Sequence, residues 1–149
     1  MLDNLQLYID ADYKINGESW SSYQLEDGPI IRQKIILTRV LYRKEESGID
    51  FRFKKNTITE VTHIPGRMIG APSGPISPQE LEEFIEVKNV RFEMIKDDWN
   101  EYEVVIENQV FIIKIRASAT IIQRTSKFNS DGEPIYICRN SENIVVIPA

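Results

Sequence analysis

The chain holds one histidine and one cysteine, and the sequence gives neither a partner that would make it reactive. His63 sits in Thr-His-Ile-Pro-Gly at a predicted strand end, and general acid–base work needs a second polar group within hydrogen-bond reach. It reads as a strand-end surface residue. Cys138, as the only cysteine, excludes an internal disulfide and a zinc site built from several thiolates. Its strand register points it into the core, where a thiol is inert. Carboxylates cluster at Asp97, Asp98, Glu101 and Glu103, and again at Asp10 and Asp12. A calcium or magnesium site needs several such oxygens converging at about 2.0–2.6 Å, and no complete loop signature is present. Asn129-Ser-Asp131-Gly-Glu133 reads as a hairpin turn. Gly66, Gly70 and Gly74 lack the Lys-Ser/Thr of a phosphate loop and the strand-to-helix setting of a dinucleotide fingerprint. The reading therefore has no catalytic set, no metal and no cofactor. A hydrolase or carbohydrate-active enzyme using the acidic cluster is the least supported alternative.

Two strand faces carry more information. A hairpin turning through Lys44–Gly48 would set Thr38 near Lys54 and Val40 near Arg52, giving an outer face with Arg32, Lys34, Arg52 and Lys54 and with Tyr42 beside them. Such a face could meet an anionic partner, or could simply be solvated and block edge-to-edge pairing. The matching face further along carries Lys114 and Arg116, with Val110, Ile112, Ile122, Ile135 and Ile137 in place of most of the other residues. An exposed apolar surface of that size calls for a cover, from the linker helix, the other copy or a second subunit. Ile112, Ile122, Ile135 and Ile137 are thus the expected oligomer interface. Tyr42, His63 and Arg39 are the residues to look for in a cleft between the halves.

The elements that would position these residues come from an internal repeat. Trp20 and Trp99, the only tryptophans, each stand three residues before a tyrosine, Tyr23 and Tyr102, at an offset of 79 that also matches Ala11, Tyr13 and Ile15 with Val90, Phe92 and Met94. Downstream the offset is 82, pairing Arg32, Lys34, Thr38 and Val40 with Lys114, Arg116, Thr120 and Ile122. Further on an offset of 83 matches Phe53 with Tyr136 and Ile64-Pro65-Gly66 with Ile147-Pro148-Ala149. The segment 110–124 alternates with period two, placing Phe111, Ile113, Ile115, Ala117, Ala119 and Ile121 on one face. Ten strands follow: 7–15, 19–25, 30–43, 49–55 and 58–64, then 87–95, 99–106, 110–124, 134–139 and 143–147. Asn16-Gly17 predicts a tight hairpin, and Asp27-Gly28, Ser47-Gly48 and Asp131-Gly132 predict further turns.

Pro65–Pro75 is too rich in glycine and proline for a helix or a central strand. Ser77-Pro78-Gln79-Glu80 then opens a short helix over about 78–85. The expected fold is all-β with one short helix. It has two tandem copies of a small antiparallel five-stranded barrel- or sandwich-like unit, related by duplication. The units are 1–66 and 85–149, joined by a linker and helix over 67–84 and packed as one compact domain.

Of the 149 residues, 42% are hydrophobic and 28% charged, which suits a globular protein rather than a disordered one. A net charge of −5 argues against general affinity for nucleic acid or anionic membrane. No apolar run approaches the roughly 18 residues of a membrane span, and MLDNLQLYID lacks a leader pattern. The sequence thus predicts a cytoplasmic, non-enzymatic binding or scaffolding protein, acting as a homo-oligomer or on an unknown protein partner. The alternative is a single-stranded nucleic-acid-binding protein using the basic face.

Overall fold

A computed structural model describes residues 7–149; the first six residues of the segment read for a leader lie outside it. The strands are β1 (Ile9–Ala11), β2 (Tyr13–Gly17), β3 (Ser21–Leu25), β4 (Ile30–Glu45), β5 (Gly48–Thr62), β6 (Ile85–Val87), β7 (Phe92–Lys96), β8 (Asn100–Ile106), β9 (Gln109–Phe128) and β10 (Pro134–Pro148). They form two antiparallel five-stranded sheets, and neither closes into a barrel. One short helix, α1 (Pro78–Leu81), starts where expected: Ser77 Oγ accepts the Glu80 N–H at 3.1 Å, and a single 3₁₀ turn over 82–84 follows. Among the described residues no helix is long and apolar enough to cross a membrane.

Each sheet is organised by a long hairpin, β4–β5 in the first and β9–β10 in the second. The separate strands expected at 49–55 and 58–64, and at 134–139 and 143–147, are therefore single strands. Gly28, Gly48 and Gly132 have positive φ at the predicted turns. The β8–β9 turn instead uses Glu107 and Asn108, at φ 48° and 70°, the conformation of a two-residue type I′ connection.

The Asn16-Gly17 hairpin does not form. β2 pairs with β8 of the other half, Lys14 lying opposite Glu103, and β7 pairs reciprocally with β3, Glu93 opposite Gln24. The predicted 7–15 strand breaks at Asp12 so that β1 stays beside β4 while β2 crosses to the second sheet. The predicted 87–95 strand divides into β6, beside β9, and β7, beside β3. Each sheet thus contains one strand from the opposite half.

The core follows from this exchange. One apolar cluster joins Ile35, Leu37 and Val40 of β4 to Tyr102, Val104 and Ile106 of β8 and Phe111, Ile113, Ile115 and Ala117 of β9. The other joins Tyr23 and Leu25 of β3 and Ile31 of β4 to Val90 and to Ile122 of β9. Both clusters draw on both sheets, so the sheets pack face to face. Each fully buried side chain of this size stabilises the fold by about 1.5–3 kcal/mol.

Two bulges set which residues face inward. The β4–β5 ladder skips Thr38, pairing Leu37 with Lys55 and Arg39 with Lys54, and the β9–β10 ladder skips Thr120, pairing Ala119 with Asn140 and Ile121 with Arg139. An extra residue reverses the parity of all that follows. Val40 and Ile122 therefore point inward, at 1% and 0% exposure, while Ile121 is turned out at 41%.

The backbone displaced at the bulges is held by tyrosines. Tyr102 Oη accepts the Leu37 N–H at 3.1 Å, and Tyr23 Oη accepts the Ala119 N–H at 3.0 Å. Asn100 fastens the β2–β3 crossing, accepting from Ser19 N at 2.7 Å and donating to the Ile35 carbonyl. These polar side chains satisfy backbone groups that leave the ladders.

Equivalent pairings recur at an offset of 79 in the early strands, 82 in β4 and β9, and 85 in β5 and β10. Val61 lies opposite Ile31 as Val146 lies opposite Ile113. The match of Ile64-Pro65-Gly66 to the chain end at 83 is therefore two residues out of register.

Candidate interaction surfaces

The residues singled out for chemistry are dispersed. His63 is exposed, at φ 55°, with Nδ1 2.9 Å from Thr62 Oγ1. It lies at the far end of β5 from Tyr42, which pairs with Phe51. Arg39 is exposed and bidentate to Asp10, so the three residues do not share a cleft. Cys138 packs beside the second core cluster, and burial pushes its thiol up to about 11, leaving little thiolate at neutral pH.

Of the acidic cluster, Asp97 turns inward and accepts Ser118 Oγ at 2.8 Å and Ser21 Oγ at 3.2 Å. Asp98 pairs with Lys96 at 3.2 Å, and Glu101 meets Asn16 Nδ2 at 3.0 Å. Glu103 lies across from Lys14. Among the described residues no three His, Cys, Asp or Glu side chains converge as a metal site would require. The Asn129 side chain closes its own turn, accepting from Asp131 N at 3.0 Å and Glu133 N at 2.9 Å.

The 65–75 segment is pinned along the tip of the β9–β10 hairpin. Gly70 N donates to the Gly132 carbonyl at 2.9 Å, and Ser73 N to that of Phe128 at 3.1 Å. A Cβ on Gly70 would sit 2.5 Å from the Phe128 ring, which would have to shift to admit it. Beside it, Asp27 Oδ2 accepts from Arg124 Nη1 at 2.9 Å and Tyr136 Oη at 3.0 Å, tying the β3–β4 turn to the second sheet. Burial and the neighbouring Asp27 carboxylate both raise the Tyr136 phenol above its usual range.

On the outer face of the first sheet the cross-strand pairs run Arg32 with Glu60, Lys34 with Ile58, Arg39 with Lys54, Leu41 with Arg52 and Arg43 with Asp50. Arg32, Lys34, Arg52 and Lys54 thus do share this face, although Lys54 and Arg52 stand opposite Arg39 and Leu41 rather than Thr38 and Val40. The bulge adds Arg39 and Arg43 to the face. It also removes Tyr42, which packs against the first core cluster instead.

The face is cationic but extensively paired. Arg32 meets Glu60 at 2.6 Å, Arg43 meets Glu45 at 2.7 Å, and Arg39 is held by Asp10. Trp20 lies beneath the Arg32 guanidinium at 4.2 Å and the Lys34 ammonium at 4.9 Å, which covers the ring that a stacked base would need. Arg116 covers Trp99 in the same way at 4.4 Å.

The outer face of the second sheet is different. Along β9–β10 the pairs are Ile112 with Ile147, Lys114 with Val145, Arg116 with Asn143, Ile121 with Arg139 and Gln123 with Ile137. Val145 and Ile147 are each 42% exposed, and Ile112, Ile135 and Ile137 are half-buried. Ile122, expected here, belongs to the core, because the Thr120 bulge turns it in and Ile121 out. The remaining three predicted residues do not form one continuous patch. Ile112 joins Val145 and Ile147 at the start of β9, whereas Ile137 and Ile135 lie beyond the bulge.

A cleft of about 450 Å³ lies between β1–β2 and the β8–β9 end, lined by Asp10, Asp12, Lys14, Tyr42 and Glu103 among others. Matched positions line a second cleft of about 490 Å³, with Arg91, Phe92, Glu93 and Gln24. The acidic character of the first is not kept in the second.

No protein-family model, no curated protein and no solved structure matches the chain.

Proposed function

We propose that this is a non-enzymatic binding or scaffolding protein of the cytoplasm that works as an oligomer, assembled on the β9–β10 side of its second sheet. One observation carries the reading: Ile112, Val145 and Ile147 form an apolar row on an outward face that no described part of the chain pairs across. Apolar groups of this kind favour burial in assembly by roughly 25 cal/mol per Å² removed from water. The matched face of the first sheet carries Glu60 and Thr62 where these valine and isoleucine residues stand, so the apolar row is particular to one half. The recurrence of pairings, of tyrosine contacts and of cation-covered tryptophans supports the accompanying proposal that the halves descend from one duplicated unit. Replacing Val145 and Ile147 together with Asp should lower the mass seen by light scattering without loss of fold. An unchanged mass would overturn the reading.

The six cations on the outer face of the first sheet favour a second reading, binding of an anionic single strand. Titration of a short single-stranded oligonucleotide at low salt, followed by tryptophan fluorescence, tests it. No change in signal ends it.

A further inference from the structure

Among the described residues the β10 strand has a ladder partner on one side only. Ala149 N donates to the Val110 carbonyl at 2.9 Å. In an antiparallel ladder hydrogen-bonded and non-hydrogen-bonded pairs alternate, so Ile147, Val145 and Asn143 exchange their bonds with β9. The backbone N–H and C=O groups of Ile144 and Val146 therefore point away from β9. Among the described residues no strand pairs with that side.

Free edges are usually guarded by charge, proline or a bulge. β5, the corresponding strand of the first sheet, follows that rule, with Glu60, Lys55, Lys54 and Arg52 along it. From Asn143 to Ala149, β10 carries no charged side chain, and Pro148 stands only at its end. Val145, opposite Lys114, occupies the place that Glu60 occupies opposite Arg32.

We propose that β10 is a pairing edge for a second copy of this chain, joined antiparallel about a twofold axis through Val145. This rests on the oligomeric reading above and takes the free strand edge, rather than the sheet face, as the contact. Ile144 of each copy exchanges backbone hydrogen bonds with Val146 of the other, Val145 meets its own counterpart, and Asn143 meets Ile147. An axis through a residue keeps outer side chains beside outer and inner beside inner, as a continuous sheet demands. The two five-stranded sheets then become one across the dimer. The occupant is a second copy because the segment is self-complementary in this register: no charge opposes a like charge, and a valine pair sits where side chains come closest. The same register on β5 would set Glu60 against Glu60.

The test uses the intact chain in sedimentation velocity, comparing wild type, Val145→Glu, Val145→Lys and an equimolar mixture of the two variants, with circular dichroism to establish that each is folded. Wild type is expected to dimerise. Each variant alone should dimerise at least about 100-fold more weakly, from like charges directly opposed. The mixture should recover a heterodimer, as apposition of position 145 with itself requires. Variants that weaken alone but a mixture that stays monomeric would overturn the edge contact and leave assembly through the sheet face. A wild-type dimer unaffected by Val145→Glu would overturn the edge contact and the face reading together. A wild type that remains monomeric would overturn both. Slowed exchange of the Ile144 and Val146 amides on dimerisation supplies an independent readout.

Discussion

Replacing Tyr102 with Phe removes a single oxygen at a point where the two halves hold each other. Leu37, just before the Thr38 bulge, has both backbone groups fixed by tyrosines: its N–H donates to Tyr102 Oη at 3.1 Å, and its carbonyl accepts from Tyr13 Oη at 2.8 Å. Tyr102 Oη in turn donates to the Glu18 carboxylate. Tyr102 is fully buried and packs edge-on against Tyr13 at 5.8 Å between ring centres, so the phenylalanine ring would keep its apolar contacts. What is lost is the acceptor for a buried amide. An orphaned buried donor costs about 1–3 kcal/mol, more than the net worth of an ordinary hydrogen bond. Glu18 is half-buried and can recover water, so it adds little. For a chain of this length each kcal/mol lowers Tm by about 2–4 °C, so a fall of roughly 2–12 °C is expected. Guanidinium denaturation should show the same loss with an unchanged slope, and the Leu37 amide should exchange faster. Tyr23→Phe should match it, because Tyr23 Oη accepts the Ala119 N–H in the same way. Stability within about 0.5 kcal/mol of wild type for both variants would refute the reasoning, since that is the range of neutral surface changes.

Gly132→Ala should destabilise by about 1–3 kcal/mol in thermal melts, because φ is 78° and the new Cβ would lie 2.6 Å from the Gly70 carbonyl oxygen. Gly48→Ala, at φ 141° with open space around it, should cost less, as strain alone acts there. Stability should fall at alkaline pH. Burial raises the phenols of Tyr23, Tyr102 and Tyr136, and the Cys138 thiol to about 11. Unfolded chains lose these protons from about pH 9 to 10 upward, so the unfolded state is favoured progressively above that range until the folded groups also ionise. Denaturation midpoints measured from pH 8 to 11 should decline, less steeply in Tyr102→Phe.

Much of the fold was legible where pattern and local chemistry agree. Period-two alternation from Phe111 to Ala117 identified an inward face, and Ser77-Pro78 marked the helix start to the residue. The Asp-Gly and Ser-Gly pairs marked three turns. What alternation could not reveal is where it slips. Thr120-Ile121-Ile122 offers an apolar residue for either face, so nothing local marks Thr120 as the bulge that turns Ile122 inward, or Thr38 as the one that turns Tyr42 inward. The Asn16-Gly17 signal was overridden by tertiary pairing. β2 gains a ladder and an apolar contact on β8 that a hairpin onto β3 would forgo, and β7 already fills that side of β3. One trace of the exchange was present in the sequence: Asp12 and Arg91, matched polar residues, interrupt both predicted first strands where the chain changes sheets. The basic face was half legible. Four of its cations are where the pattern put them, but the register that sets Glu60 against Arg32 depends on the bulge, and Asp10 reaches Arg39 from another strand, β1.

The exchange of β2 and β7 underlies the cores, the faces and the free edge alike, and interstrand NOEs read it directly. The fold requires backbone contacts between Lys14 and Glu103 and between Glu93 and Gln24. Contacts of 13–15 with 18–20 across an Asn16-Gly17 turn, with none to β8, would contradict it.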